Sequence, residues 1–266
     1  MTIGRGAEAF GITQRGPRFA NEDDFRIHRG PSGLVCVVAD GMGGHAAGDV
    51  ASRLAVTITS SLLVAPDEGA APDRIRAAVE VANREIFEQS TSNPMLRGMG
   101  STIALLYLPH EGNVAHVAHV GDSRVYLHRD GALRPLTEDH TLGNYFRANA
   151  DKFAELGANA ADIPEHANIL MSALGIKETV DVTLTEVEVC PGDLFLLCTD
   201  GLPAVVDDTR LAELLREGGD DVEGTCRRLL AETHGAPGTD RTDGPRCVDD
   251  VALIVARVLT CAPSRT

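Results

Sequence analysis

Residues 33–41 read GLVCVVADG, an apolar run that ends in an Asp-Gly pair, and residues 193–201 repeat the arrangement as DLFLLCTDG. Each run has the length of a buried strand and is bounded by turn residues. A carboxylate at a strand end, followed by a glycine where the backbone can turn closely, can offer a cation both a side-chain and a main-chain oxygen. One Asp-Gly pair alone is more often a turn. The repetition at Asp40 and Asp200 favours a cation site.

Further acidic residues lie at the edges of predicted strands. Asp122 follows an apolar run, Glu22 and Asp23 lie in RFANEDD, and Asp249 and Asp250 begin the last run. Each residue taken alone is more often a cap or a solvated turn residue. Hard divalent ions are held by carboxylates from separate segments. Five acidic clusters beside apolar runs therefore favour an oxygen-ligand site for two cations.

Two cations in one site suggest hydrolysis of a phosphate ester, because such a pair can activate a bridging water and stabilise charge on a phosphoryl group. A nearby arginine would bind phosphate oxygens through two N–H groups. Arg18, four residues before Glu22, is the candidate, although spacing alone leaves open that it is a surface arginine. The sequence lacks the motifs of P-loop, zinc-protease and serine-hydrolase sites, and the Gly-rich GMGGH (41–45) lacks the flanks of a phosphate-binding loop.

Composition excludes other classes of function. The formal charge of -15, from 39 acidic and 24 basic residues, would repel nucleic acid. The N-terminus has no apolar signal core, and the apolar stretch at 54–65 is too short to span a bilayer, so we expect a cytoplasmic protein without a membrane span. The six cysteines show no CxxC spacing and are interpreted as reduced core residues: Cys36, Cys190, Cys198, Cys226, Cys247 and Cys261.

The periodicity predicts an α+β fold with packed antiparallel sheets, because strands are grouped between helix pairs. One helix is predicted from Asp49 and another from Pro72, and a weaker pair covers 209–217 and 221–234. Residues 1–266 are expected to form one domain, irregular at 143–168 and 235–246. Asp-Gly at 130–131 predicts a hairpin over 123–136. The predicted strands are 33–40, 101–108, 113–121, 123–130, 180–189, 193–200 and 249–258.

Six runs, in order, resemble the motifs of the type 2C, metal-dependent Ser/Thr protein phosphatases, especially the bacterial members. The runs are RFANEDD, VVADGMGGHAAGDVAS, MGSTIALLYL, AHVGDSRVYLHRDGALRPLTEDHTL, LLCTDGL and VDDVALIV, and they extend from about residue 18 to residue 258. The resemblance implies a four-layer α-β-β-α sandwich with a metal cluster at one end of two antiparallel sheets. It also implies hydrolysis of phosphoserine and phosphothreonine by a water or hydroxide that bridges two metals.

The resemblance also assigns ligands for Mn²⁺ or Mg²⁺. In the family pattern Asp40 bridges two metals. Glu22 and the carbonyl of Gly41 complete one site, and Asp200 and Asp249 complete the other.

Three further roles follow from the same resemblance. Asp122, with Asp200, matches a third and weaker metal site, so two or three cations are expected. Asp23 matches a position behind the ligands that orients metal-bound water. Arg18 matches the arginine that binds phosphate, and with Asp40 and Asp200 it makes up the implied catalytic set.

The sequence departs from the family pattern at three places. Met42 follows the first Asp-Gly where many relatives have histidine, and the nearest histidine is His45. The last motif has Asp250 and Ala252 where Asn and a hydroxyl residue are usual. The segment 143–168 corresponds to the family's flap but differs from its pattern, and Tyr145, Phe146 and Phe153 there are interpreted as core anchors, with a docking surface as the alternative.

The implied partners are phosphorylated proteins, either targets of a Ser/Thr kinase or the kinase itself, and a monomer is the default. Two other functions remain open. One is a catalytically silent member of the family that binds a partner, which the loss of a metal carboxylate would favour. The other is a sensor in which metal binding stabilises the fold and hydrolysis is incidental.

Overall fold

The computed structural model describes residues 6–43, 47–66, 69–155, 168–234 and 249–260. No helix among these residues is long and apolar enough to cross a membrane. In chain order the elements are β1 (Ala7–Gln14), β2 (Asp23–Gly30), β3 (Gly33–Met42), α1 (Gly48–Val64), α2 (Ala71–Ser92), a 3₁₀ turn (Pro94–Leu96), β4 (Gly100–Ser101), β5 (Ile103–Pro109), β6 (Val114–Val120), β7 (Arg124–Arg129), β8 (Ala132–Pro135), α3 (Leu142–Ala148), α4 (Ala150–Glu155), β9 (Thr183–Glu188), β10 (Leu194–Cys198), α5 (Asp208–Gly218), α6 (Val222–His234) and β11 (Val251–Val258).

The described strands form two antiparallel sheets. One has the order β1-β11-β10-β7-β8, and the other has the order β2-β3-β5-β6-β9, with β4 paired to the end of β3. The helices α1 and α2 pack on the second sheet, and α5 and α6 pack on the first. The predicted four-layer α-β-β-α sandwich of two antiparallel sheets flanked by helix pairs is therefore confirmed.

Strand β3 shows why these layers form. Its alternate residues Val35, Val37 and Ala39 pack toward the helix layer, whereas Leu34, Cys36 and Val38 pack toward the other sheet. Successive side chains of a strand point to opposite faces, so a strand covered on both faces must be apolar throughout. This requirement explains the continuous apolar run at 34–39, every residue of which is buried.

The predicted strands and helices are present, mostly with shorter ends. The predicted strand 101–108 is divided at Thr102, between β4 and β5. The hairpin of β7 and β8 is confirmed, and its turn has positive φ angles of 53° at Asp130 and 79° at Gly131. Strands β1 and β2 were not predicted, because their residues are mostly half-buried and form no continuous apolar run.

Two predictions about side-chain burial are wrong. Cys190 is exposed, whereas Cys36, Cys198 and Cys226 are buried free thiols as predicted. Tyr145 is 48% exposed and is not a core anchor, because the short helix α3 lies at the surface.

Some predicted features lie outside the described residues. They are His45, Cys247, Cys261, the loop 235–246, residues 156–167 of the flap and the side chain of Phe153.

Candidate metal centre

The register of β2 and β3 brings the first acidic residues together. Asp23 lies opposite Asp40 in this antiparallel pair. The backbone N–H of Gly41 donates to the carbonyl oxygen of Glu22 at 3.0 Å. A Cβ atom at position 41 would lie 2.6 Å from that oxygen, so only glycine permits this approach. The glycine after Asp40 thus allows a close backbone approach to Glu22, while the predicted approach to a cation stays a prediction.

The other sheet supplies the remaining carboxylates at the same end. Asp200 follows β10, and Asp249 precedes β11, its antiparallel neighbour. The N–H of Thr199 donates to the carbonyl of Ala252 at 3.0 Å, which holds the two strand ends together. Asp122 lies in the turn between β6 and β7 and so joins the sheets.

The electrostatics of Asp40 show that these segments converge. Burial raises the pKa of Asp40 well above its ordinary value. The nearby negative charges of Asp23, Asp200, Asp249 and Asp122 raise it further. The structure therefore brings together, around Asp40, the carboxylates that the sequence singled out.

The neighbouring carboxylates are perturbed in the same direction. Burial raises the pKa of Asp23 to about 8, of Asp122 to about 7 and of Asp200 to about 6, and other carboxylates add to each shift. The pKa values of Glu22 and Asp249 are also raised, chiefly by burial. Such shifts mean that the clustered carboxylates resist being ionised together. Bound divalent cations would offset the repulsion between their charges.

The donor chemistry fits hard divalent cations. Every predicted ligand is an oxygen, as Mn²⁺ and Mg²⁺ prefer. The buried Oδ1 atom of Asp122 has no hydrogen-bond partner in the described part of the chain. The same is true of Oδ1 of Asp49, whose charge also helps to raise the pKa of Glu22. Sequence reasoning used Asp49 only as a helix start and missed it as a site residue, although it lies four residues after GMGGH within the run VVADGMGGHAAGDVAS.

Arg18 lies among these carboxylates. Its Nη2 atom is 2.7 Å from Oδ2 of Asp249, and its Nη1 atom is 3.5 Å from Oε2 of Glu22. Its side chain is 45% exposed, so the guanidinium lies at the rim of the cluster and not in the core. No three His, Cys, Asp or Glu side chains of the described ranges are arranged to hold a metal ion as they stand. The residues therefore fit divalent cations in the type of their donor atoms and in their charge, and not in a ready coordination geometry.

Asp250 and Thr199 lie behind the acidic cluster and hold its segments together by hydrogen bonds. Asp250 is 1% exposed, and its two oxygens accept hydrogen bonds from the N–H groups of Gly16 at 2.7 Å and Glu22 at 2.8 Å. An asparagine has one side-chain acceptor and could not accept at both atoms. Thr199 donates through its hydroxyl to Oδ2 of Asp23 at 2.6 Å and accepts from the N–H of Ala252 at 2.9 Å. Aspartate at position 250, where the family usually has asparagine, therefore holds two backbone N–H groups at once.

Two replacements of Asp250 should show how much the hydrogen bonds from Gly16 and Glu22 each contribute to stability. We expect Asp250→Ala to lower the free energy of unfolding by about 2 kcal/mol or more, because two backbone donors lose their acceptor. Asp250→Asn should cost about half as much, since one acceptor remains. Both variants should weaken Mn²⁺ binding, by about 10-fold or more for alanine, because Glu22 loses its anchor. Urea denaturation and calorimetric titration measure the two effects, and equal stability of both variants and the wild type would contradict the assignment.

Without metal, stability should fall as the pH rises from about 6.5 to about 8.5. In this range the raised pKa values of Asp122, to about 7, and Asp23, to about 8, keep protons on the folded chain that the unfolded chain has released. Raising the pH then favours unfolding. This pH range excludes the titration of buried histidines. Burial lowers the pKa of His119 to about 4, so its titration changes stability only below about pH 6.5.

Thermal unfolding in EDTA tests this expectation. We expect Tm to fall by about 5 °C across that pH range, and less in Asp23→Asn. Saturating Mn²⁺ should remove most of the decrease, since cations favour the deprotonated carboxylates. A Tm that rises with pH in EDTA would show that the cluster does not hold extra protons.

Comparisons with known proteins agree with this geometry. Residues 15–227 match the family model described as Protein phosphatase 2C. The serine/threonine phosphatase stp of Listeria monocytogenes is 36% identical over 213 residues, which are 77% of this chain and 81% of that protein. The serine/threonine protein phosphatase PstP of Mycobacterium tuberculosis is 34% identical over 249 residues, which are 93% of this chain and 44% of that protein.

A solved structure matches the fold as well. The catalytic domain of PstP in complex with two manganese ions aligns with a TM-score of 0.74 and 32% identity, covering 96% of this chain and 99% of that chain. The family model covers more than half of the residues, and a relative above 30% identity spans most of the chain. The chain therefore belongs to the protein phosphatase 2C family.

Proposed function

We propose that this protein hydrolyses phosphoserine and phosphothreonine esters of other proteins, with two or three Mn²⁺ or Mg²⁺ ions as cofactors. The observation that carries the proposal is the cluster of buried and half-buried carboxylates with raised pKa values around Asp40, bordered by the partly exposed Arg18. Stp and PstP are named serine/threonine phosphatases, and PstP has a structure with two manganese ions, which supports this activity and this cofactor. Residues 1–266 are proposed to act as a single catalytic domain.

The proposed ligands are the residues that converge on one end of the sandwich: Glu22, Asp40, the carbonyl of Gly41, Asp122, Asp200 and Asp249. Cations held there would supply activation of a water for attack on phosphorus and neutralisation of charge on the phosphoryl oxygens. The carboxylates would hold the cations in place.

Arg18 has to exchange partners during this cycle. In the structure its guanidinium pairs with Asp249 and Glu22, two carboxylates that are proposed to bind different cations. Cation binding would release the guanidinium, whose fork of N–H donors then faces the phosphate of the substrate. The 45% exposure of the side chain leaves room for that movement.

Asp23 is proposed to orient the attacking water. Its Oδ2 atom is held by the hydroxyl of Thr199, so Oδ1 is the atom that would accept a hydrogen bond from the water. In the reaction an oxygen–phosphorus bond forms to the water while the bond to the Ser or Thr oxygen breaks. The attacking water gives up one proton and the released alkoxide takes up one, so the products are the free hydroxyl side chain and orthophosphate.

The direct test is hydrolysis of a phosphothreonine peptide and of p-nitrophenyl phosphate by the wild-type chain with Mn²⁺, with Mg²⁺ and with EDTA. Turnover with a divalent cation and none with EDTA is the expected result. Calorimetric titration with Mn²⁺ in parallel separates the alternatives. Cation binding without any turnover would overturn the enzyme assignment and favour a partner-binding or sensor function.

A further inference from the structure

Phe19 is the most exposed large apolar side chain among the described residues, with 92% of its surface open to solvent. It directly follows Arg18, and Pro17 on the other side of the arginine is exposed as well. Exposing a whole aromatic ring forgoes the stabilisation that burial would give it. The proposed phosphate-binding arginine thus lies between two exposed apolar residues.

The segment that carries Phe19 is fixed at several points. The Nη1 atom of Arg15 donates to the carbonyl oxygen of Phe19 at 2.9 Å. On either side of it, the N–H groups of Gly16 and Glu22 donate to the buried carboxylate of Asp250. The ring therefore projects from a braced segment beside the cluster, and contacts to it would cost little ordering of the backbone.

The spacing between Phe19 and Arg18 is similar to the spacing between neighbouring residues of a bound peptide. Adjacent Cα atoms are about 3.8 Å apart, so the backbone of Phe19 begins within that distance of the Arg18 backbone. Each residue of an extended peptide spans about 3.3 Å, so a residue one or two positions from a phosphoresidue held by Arg18 lies about 3 to 7 Å along the substrate from it. The closeness of Phe19 to Arg18 in the chain makes the ring a candidate contact for such a residue.

We propose that Phe19 is a specificity-determining residue that contacts a bulky apolar side chain within two positions of the phosphoserine or phosphothreonine. The inference deepens the proposed phosphatase function and depends on it. Apolar contact on an open surface gives moderate discrimination, below the 10- to 200-fold range of an enclosed pocket, and we expect about fivefold.

The test uses two phosphothreonine peptides that differ in the residues flanking the phosphothreonine, leucine in one and glycine in the other. We expect the wild type with Mn²⁺ to show about fivefold higher kcat/KM for the leucine peptide. Phe19→Ala should bring the two peptides to nearly equal values, mainly through a higher KM for the leucine peptide, whereas Phe19→Leu should keep part of the preference.

A matched control is Leu62→Ala, which removes another large side chain, 45% exposed, on α1. Leu62 is 13 residues from Asp49 on the same helix, about 20 Å along its axis, and this variant should keep the wild-type preference. Equal losses for both peptides in Phe19→Ala would show that Phe19 supports the site in general and would overturn the proposal. An unchanged preference in Phe19→Ala would overturn it too.

A binding readout separates this inference from the proposed function. Phosphonate analogues of the two peptides, which cannot be hydrolysed, are titrated calorimetrically into the wild type and into Phe19→Ala in the presence of Mn²⁺. A leucine preference in affinity that the alanine variant loses supports the role of Phe19 even if turnover is absent, in which case only the enzymatic assignment fails. Equal affinities of the wild type for both analogues would overturn the specificity role.

Discussion

Asp40→Asn is expected to reduce metal-dependent hydrolysis by about 10³-fold. Burial raises the pKa of Asp40, and the charges of Asp23, Asp200, Asp249 and Asp122, which come from several segments, raise it further. An amide has nearly the same shape but cannot supply the negative charge that two cations share. Asp200→Asn should have a similar effect, since Asp200 is the corresponding strand-end carboxylate of the other sheet.

The same substitution should stabilise the protein when no metal is bound. In the wild type the carboxyl of Asp40 is desolvated and surrounded by negative charges, which opposes its ionisation. The neutral amide avoids that cost, so in EDTA at about pH 8 the Tm of Asp40→Asn should be higher than that of the wild type. Lower activity together with a higher metal-free Tm in Asp40→Asn would indicate that the fold holds these carboxylates together for cation binding.

Activity with two substrates, Mn²⁺ affinity and Tm in EDTA check both effects together. Asp73→Asn is the matched control, because Asp73 is an exposed carboxylate in the first turn of α2, and it should change none of them appreciably. Wild-type activity in Asp40→Asn would exclude the carboxylate as a bridging ligand. A lower Tm of that variant in EDTA would instead indicate that Asp40 stabilises the fold directly.

The acidic residues at the centre of the cluster could be singled out from the sequence because their signal is local. An apolar strand that ends in Asp-Gly specifies both the burial of the strand and the position of the carboxylate, as at Asp40 and Asp200. Antiparallel pairing then places such ends side by side, as the register of Asp23 with Asp40 shows. The packed antiparallel sheets were predicted from strands grouped between helix pairs, whereas the four-layer order came only from the family resemblance.

The contacts that could not be predicted join residues far apart in the chain. Arg18 meets Asp249 across 231 positions, and Asp250 accepts from the N–H of Glu22 across 228 positions. No spacing rule connects such residues, because their proximity depends on how two separate sheets stack. Tyr145 was misplaced for a related reason, since its aromatic character favours burial but the surface position of α3 exposes it.

Arg18→Ala is expected to lower kcat/KM for a phosphothreonine peptide by about 10² to 10³-fold, because the phosphoryl group loses its guanidinium partner. Arg18→Lys should recover only part of this loss, since an ammonium cannot present two parallel N–H donors to phosphate. Inhibition by orthophosphate should weaken in parallel. Arg227→Ala is a suitable control, because Arg227 is exposed and forms a surface ion pair with Glu223 that contributes little.

Mn²⁺ affinity decides what this loss of activity means. In the structure Arg18 competes with cations for Asp249 and Glu22, so its removal should leave Mn²⁺ binding unchanged or make it tighter. A residue that merely braced the acidic cluster would show the reverse, with weaker Mn²⁺ binding in the alanine variant. If calorimetric titration shows Mn²⁺ affinity falling together with activity, Arg18 supports the metal centre and does not bind the phosphate. If affinity holds while activity falls, the arginine acts on the substrate, and its exchange between carboxylates and phosphate couples cation binding to substrate binding.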